Sequence, residues 1–209
     1  SVIKTRSPGL WPAPQPPATA AVVGCGVIGS GWAARLRLRG VDVRAFDPAP
    51  GAPAILDEVM ANAETSWAAL GLRPARLGSL LVCPSLDEAV EGAALIQESV
   101  PERLDLKHST LAAIDAAAGP DAIVASSTSG FKPSDLAPAL TRPERLIVAH
   151  PFNPVYLLPL VEVVGGTDTS PEVVARALGL YRALGMHPLH VRVEIDAFIA
   201  DRLLEAVWR

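Results

Sequence analysis

The chain has 209 residues, half of them hydrophobic and 19% charged, which suits one sizeable buried core, or one domain and the start of another. A net charge of −4 supplies no attraction toward nucleic acid or an anionic membrane. No apolar run approaches the ~20 residues that cross a bilayer, and the start shows no charged-then-apolar signal segment.

The opening "SVIKTRSPGLWPAPQPPATA" is rich in prolines, which block regular hydrogen bonding, and it offers little periodic apolar surface. Residues 1–18 are expected to form a flexible Pro-rich arm, with Trp11 as a local anchor. From Thr19 onward, short apolar runs alternate with helical patterns, the signature of a parallel sheet wound with helices. "TAAVVG" reads as a strand, "IGSGWAARLRLRG" as a helix closed by Gly40, and "VDVRAFD" as the second strand. Residues 53–72 read as helical. "LLVC", "ALIQES", "AIVASS" and "RLIVAH" follow as strands, with helical stretches around 85–91 and 102–118. "PLVEVV" is a further strand, "PEVVARALGLYRALG" a helix capped by Ser170 and stopped at Gly185, and "PLHVRV" a last strand. "DAFIADRLLEAVWR" has strong helical spacing and needs something to pack on. Three parts are therefore expected. They are the arm over 1–18, a Rossmann-like, doubly wound, mostly parallel α/β domain over 19–195, and the first helix of an all-α C-terminal domain over 196–209. That helix would expose Phe198, Ile199, Leu203, Leu204 and Val207 unless it folds back or pairs with another chain.

"VVGCGVIGSGW" over residues 22–32 holds Gly24, Gly26 and Gly29 in GxGxxG spacing, with Val27 and Ile28 between the last two. In a strand–loop–helix context the first glycine allows a tight turn, the second admits a pyrophosphate, and the third permits close helix–strand packing. Phosphates then meet the free N–H groups at the helix N-terminus. Asp47 ends the next strand about 20 residues on, where a carboxylate accepts hydrogen bonds from ribose hydroxyls and repels a 2′-phosphate. No basic residue follows it until Arg73, and Arg44, three residues before it on an alternating strand, faces away. NAD is the expected cofactor.

His150 ends the strand "RLIVAH", at the sheet edge where open α/β proteins bind ligands. An imidazole there can take a hydroxyl proton as a hydride leaves the same carbon. Glu162 lies in a nearly apolar run, where an unpartnered carboxylate is costly, and pairing with His150 would resolve that cost. The bland alternative is a packed strand-end histidine and an edge-strand glutamate. His108, His187 and His190 have no companion pattern and read as surface or packed residues. Neither Cys25 nor Cys83 sits in a catalytic pattern, and two cysteines suit a reducing, cytoplasmic setting. No cluster has metal-ligand spacing.

Together, the glycine loop with Asp47, "QESVPERLDLK", "SSTSG", "HPFNP", the Glu162 strand and "FIADRLL" make residues 19–209 resemble the 3-hydroxyacyl-CoA dehydrogenase family. The resemblance implies a catalytic His150–Glu162 pair. It implies Ser129 and Asn153 at the substrate oxygen and nicotinamide side, and Glu102 and Lys107 at the nicotinamide ribose. Without it, Glu102 would be a helix-start charge and Lys107 part of a solvated face. It further implies a homodimer formed through the helical domain. Residues 48–72 contain no Lys or Arg, where acyl-CoA members carry lysines, so a free 3-hydroxy acid is expected. Asp201 replaces the family's asparagine before "RLL". Within the family the wording is most similar to members oxidising the 3-hydroxyl of L-carnitine, and Phe131, Phe152, Tyr156 and Asp201 are candidates for a quaternary-ammonium site. An L-gulonate-type or acyl-CoA-type oxidoreductase, or a silent NAD-binding protein, are the alternatives.

Overall fold

The computed structural model describes residues 15–208, so most of the expected N-terminal arm, Trp11 included, lies outside the described residues. Eight strands form one sheet: β1 (Thr19–Val23), β2 (Asp42–Phe46), β3 (Leu80–Val82), β4 (Leu95–Glu98), β5 (Ile123–Ser126), β6 (Leu146–Pro151), β7 (Leu160–Gly165) and β8 (His187–Val191). Their order across the sheet is β3-β2-β1-β4-β5-β6-β7-β8. Every neighbouring pair is parallel except β6 and β7. The helices are α1 (Val27–Leu38), α2 (Ala52–Ala69), α3 (Leu86–Val90), α4 (Leu104–Ala117), α5 (Pro133–Leu136), α6 (Pro171–Ala183) and α7 (Phe198–Trp208).

The strands read as continuous apolar runs because helices cover both faces of the sheet. β4, β5 and β6 are buried along their whole length. One core gathers Trp32, Leu56, Trp67, Ala177 and Tyr181 from α1, α2 and α6. The other gathers Ile96, Leu111, Ile114, Leu136 and Phe198. Chain order departs from β1 in both directions, to β2 on one side and β4 on the other. The crevice at the carboxyl ends of these strands is where such sheets bind ligands.

Local signals act as expected for α6, where Ser170 Oγ accepts from Glu172 N–H at 3.2 Å and Pro171 occupies the first turn. Gly185 follows with φ +70°, the left-handed stop. α5 and the two 3₁₀ turns Ala137–Ala139 and Pro143–Arg145 have no counterpart in the sequence expectations. Each is about one turn, too short to show a hydrophobic period.

A buried ionic cluster ties α4 to the start of β6. Asp115 Oδ1 accepts from Arg145 Nη2 at 2.6 Å, and Oδ2 accepts from the Thr141 backbone N–H and hydroxyl at 2.8 and 2.6 Å. Burial alone would push this carboxyl up, but the bonds from Thr141 and Arg145 outweigh it and hold it below its ordinary 3.8. The stability it contributes is present above that value and is lost as pH falls through the lower folded value. Asp115→Asn leaves Arg145 buried without its countercharge, and urea unfolding at neutral pH should show a loss of about 3–5 kcal/mol. The variant should also show a shallower fall in stability below pH 3.8 than the parent.

Candidate active site

A cleft of about 780 Å³ opens at the carboxyl edge of the sheet. The glycine loop forms one wall. Gly24 has φ +90°, and a Cβ there would stand 2.7 Å from the backbone of Ser99 and Val100. A Cβ on Gly29 would stand 1.7 Å from the Gly24 carbonyl oxygen, so a side chain would push the loop off α1. At Gly26 a Cβ would meet nothing within 4 Å, and Val27 and Ile28 line the cleft beside it. α1 starts at Gly26 with no side-chain cap, which leaves first-turn N–H groups available to an anion. Two glycines are required by packing and the third leaves room, the division of labour a pyrophosphate cradle needs.

Asp47 lines the cleft directly after β2. Its Oδ2 accepts from Cys25 N–H at 2.7 Å and its Oδ1 from Ala49 N–H at 2.8 Å. The carboxylate therefore anchors the glycine loop, and each oxygen keeps acceptor capacity for ribose hydroxyls. Arg44 turns away as expected, donating to the Glu88 and Glu91 carbonyls at 3.4 and 2.5 Å. Burial, and then the Asp47 charge, push the Cys25 thiol up to about 12. It stays protonated at neutral pH and is no nucleophile.

The opposite wall holds a polar cluster around Lys107, whose buried partner Glu98 the sequence did not single out. Lys107 is 1% exposed, which corrects the solvated face its position in α4 would otherwise indicate. Its Nζ donates to Glu98 Oε1 at 2.8 Å and to the Val100 carbonyl at 3.2 Å, and stands 3.6 Å from Glu102 Oε2. Glu98, fully buried, also accepts from Val100 N–H and Ser126 Oγ. Glu102 accepts from Thr128 Oγ1 and, at 3.1 Å, from Gly130 N–H. Lys107 is thus held by two carboxylates, one of which, Glu102, reaches the cleft. Ser127 is a second missed hub: its hydroxyl accepts from Trp32 Nε1 at 3.1 Å and Gln97 Nε2 at 2.8 Å, and lies 2.8 Å from Ser99 Oγ. The only signal for these residues was their placement in "QES" and "SSTSG" at strand ends.

His150 and Glu162 are direct register partners across the antiparallel β6–β7 pair. His150 Nδ1 lies 2.9 Å from Glu162 Oε2, and the residues are 8% and 1% exposed. β7 sits between β6 and β8, so the edge-strand alternative for Glu162 does not hold. The second oxygen, Oε1, accepts from the N–H groups of Ile199 and Ala200 at 3.0 and 3.1 Å, in the first turn of α7. Phe152 and Phe198 lie against the imidazole at 5.2 and 5.7 Å between ring centres. His150 lines the cleft, and its Nε2 has no protein partner among the described residues.

Ser129 lines the same cleft, whereas Asn153 is exposed and is not among the lining residues. Phe198 is fully buried, against the expectation of an exposed helix face, while Leu203, Leu204 and Val207 are exposed and Ile199 is 38% exposed. Of the ammonium-site candidates, Phe152 meets His150. Tyr156 packs with the core beneath α1 and α2, and Phe131 joins the opposite core. Asp201 lies on α7, partly exposed. His187 and His190 are exposed on β8, and His108 Nε2 lies 2.7 Å from the Asp135 carbonyl, in keeping with surface or packed roles. Among the described residues no group of His, Cys, Asp and Glu has metal-site geometry, and no helix is long and apolar enough to cross a membrane.

A family model for the NAD-binding domain of 3-hydroxyacyl-CoA dehydrogenase matches residues 19–195. The L-carnitine dehydrogenase of Pseudomonas putida is 57% identical over 192 residues, which make up 91% of this chain and 60% of that protein. The L-carnitine dehydrogenase/betainyl-CoA thioesterase of Rhizobium sp is 56% identical over 191 residues, 91% of this chain and 38% of that protein. The chain thus spans less than two thirds of the length of these relatives. Among solved structures, an NAD⁺-dependent 5-formyl-3-hydroxy-2-methylpyridine 4-carboxylic acid 5-dehydrogenase aligns with TM-score 0.87 and 35% identity, covering 91% of this chain and 62% of that one. The (S)-3-hydroxybutyryl-CoA dehydrogenase of Ralstonia eutropha aligns with TM-score 0.81 and 28% identity, covering 90% and 68%. The chain belongs to the 3-hydroxyacyl-CoA dehydrogenase family, whose NAD-binding domain it carries.

Proposed function

We propose that the protein is an NAD-dependent dehydrogenase that oxidises the 3-hydroxyl of L-carnitine to 3-dehydrocarnitine, with His150 as general base. The observation that carries the chemistry is the 2.9 Å contact between His150 Nδ1 and Glu162 Oε2 at the cleft. A carboxylate at Nδ1 selects the tautomer with its proton there and leaves Nε2 as an acceptor. Nε2 takes the substrate hydroxyl proton, and Glu162 faces the imidazolium that forms. NAD, when bound, supplies the hydride acceptor. In this reading Gly24, Gly26, Val27, Ile28 and Gly29 receive the pyrophosphate, Asp47 the adenosine ribose, and Glu102, steadied by Lys107, the nicotinamide ribose. Ser129, which lines the cleft, and Asn153, three residues after His150, are assigned to the substrate side.

Carnitine is favoured by the relatives at 56–57% identity and by the charges around the cleft. Lys107 is the only Lys or Arg among its lining residues, and it is already held by Glu98 and Glu102. Residues 48–72, where acyl-CoA members carry lysines, contain no Lys or Arg, so a CoA phosphate finds no countercharge there, and Lys107, engaged by two carboxylates, leaves little repulsion for a cationic substrate. The exposed Leu203, Leu204, Val207 and Trp208 on α7 support the reading that residues 196–209 open a helical domain. By the same reading the full-length protein is a cytoplasmic homodimer.

NADH production by the full-length protein on carnitine, gulonate and 3-hydroxybutyryl-CoA should be fastest with carnitine. NADH binding without turnover on all three would mark a silent protein instead. Asp47→Ala should weaken NADH binding, read by fluorescence, by about 1.5–3 kcal/mol. An unchanged affinity would remove Asp47 from the cofactor site. His150→Ala should leave NADH binding nearly intact and cost ~10²–10⁴-fold in rate. Glu162→Gln keeps an oxygen for α7 but turns an amide donor toward Nδ1, forcing the imidazole proton onto Nε2. Its rate should fall by about 10²–10⁴-fold, with NADH affinity close to that of the parent. A Glu162→Gln enzyme with normal turnover would rule out this tautomer control.

A further inference from the structure

Residues 192–197 cross from β8 to α7 and are pinned along the way. Glu194 accepts from the backbone N–H of Ser134 at 2.7 Å and from its hydroxyl at 2.5 Å. Asp196 pairs with Lys132 Nζ at 3.1 Å, and its carbonyl accepts from Arg202 Nε at 2.9 Å. Ala197 and Phe198 then turn through φ +57° and +42°, a left-handed conformation that L side chains rarely adopt. Two consecutive non-glycine residues in that region require the surroundings to hold them there. The turn does two things at once. It buries the Phe198 ring completely, 5.7 Å from the His150 ring, and it aims the Ile199 and Ala200 N–H groups at Glu162 Oε1.

We propose that residues 194–200 form a positioning strap for the His150–Glu162 pair, with Phe198 as its central positioning residue. Glu162 has two oxygens and two tasks: one faces His150, and the other caps α7. Because α7 engages Oε1, the carboxylate has a single orientation, with Oε2 on Nδ1. Without the cap, rotation about the last side-chain torsion and entering water would compete for the same oxygens. The Phe198 ring excludes that water from the imidazole. The strap also fastens to Lys132 and Ser134, just after the Ser129 loop, so the substrate side and the base are braced by one segment. Two acids of the strap are engaged, Glu194 with Ser134 and Asp196 with Lys132.

The inference rests on the proposed dehydrogenase chemistry for its effect on rate, but the strap itself has a readout independent of turnover. In full-length protein labelled with ¹⁵N-histidine, the His150 signal is identified by its loss in His150→Gln. The parent should show the neutral ring protonated at Nδ1. Phe198→Ala should move the proton largely to Nε2 and lower kcat about tenfold. The KM for NAD should stay within about twofold, because Phe198 does not line the cofactor cleft. Phe198→Leu, which fills most of the volume without a ring, should show both changes to a smaller degree, and it carries the test if the alanine variant does not fold. A His150 ring still protonated at Nδ1 in both variants would overturn the strap, whatever the rate. A moved proton with unchanged kcat would overturn its catalytic relevance. If the parent oxidises none of the hydroxy acids, the dehydrogenase reading fails, and the tautomer measurement alone decides the strap.

Discussion

Burying a carboxylate is the constraint around which this end of the molecule is organised. Glu162 is 1% exposed, and such a group is tolerated only when its lone pairs are met by donors. It takes one contact from His150 on β6 and two from the first turn of α7. Those partners lie 12 residues before it and 37 and 38 residues after it. The carboxylate therefore cannot be satisfied until the β6–β7 pair has formed, β8 has added to the sheet, and the chain has crossed back to begin α7. Two distant parts of the chain converge on one side chain.

The antiparallel pairing of β6 and β7 is what makes this geometry available. In a parallel βαβ unit, consecutive strands present their carboxyl ends together, and a strand-end histidine would meet another strand end. Reversing β7 places the middle of that strand beside the end of β6, and the register puts Glu162 opposite His150. Directly opposed residues in an antiparallel pair share a face and lie close together. The base is thereby built on strands rather than loops, supports that hold a constellation more tightly.

The two walls of the cleft use different electrostatics. Among the described residues no Lys or Arg lines the glycine-loop side. Backbone N–H groups of α1 stand in for one, and the Asp47 carboxylate secures the loop from below. On the other side an ammonium is present but fully engaged, with Glu98 and Glu102 around Lys107. A buried ion pair of this kind is no strong source of stability, but it fixes where its members sit. Behind it, Ser127 links the cleft to Trp32, to Gln97 and, through the Tyr181 hydroxyl on Gln97 Oε1 at 2.9 Å, to the core. Burial raises the Tyr181 phenol well above its ordinary range, so it stays a neutral donor in that chain.

Much of this was determined by the sequence itself. Short-range physics leaves its mark on neighbouring residues: the apolar runs of a sheet covered on both faces, the Ser170–Pro171 start of α6, the Gly24–Gly26–Gly29 spacing, and Asp47 one strand later. His150 and Glu162 were visible as two polar residues in an apolar stretch. The roles expected for Glu102 and Lys107 came from family resemblance, because nothing in their local pattern marks them, whereas Ser129 at a strand end and Asn153 three residues after His150 were visible as candidates and took their roles from it. Only the tertiary structure decided the burial of Lys107, since Glu98 and Glu102 reach it from other elements. It alone decided that β7 is internal and reversed, because apolar runs look alike in either direction. It also turned Phe198 inward and α7 onto Glu162. Hydrogen bonds between groups 37 residues apart follow from chain path rather than from periodicity, and periodicity is all that a local pattern records.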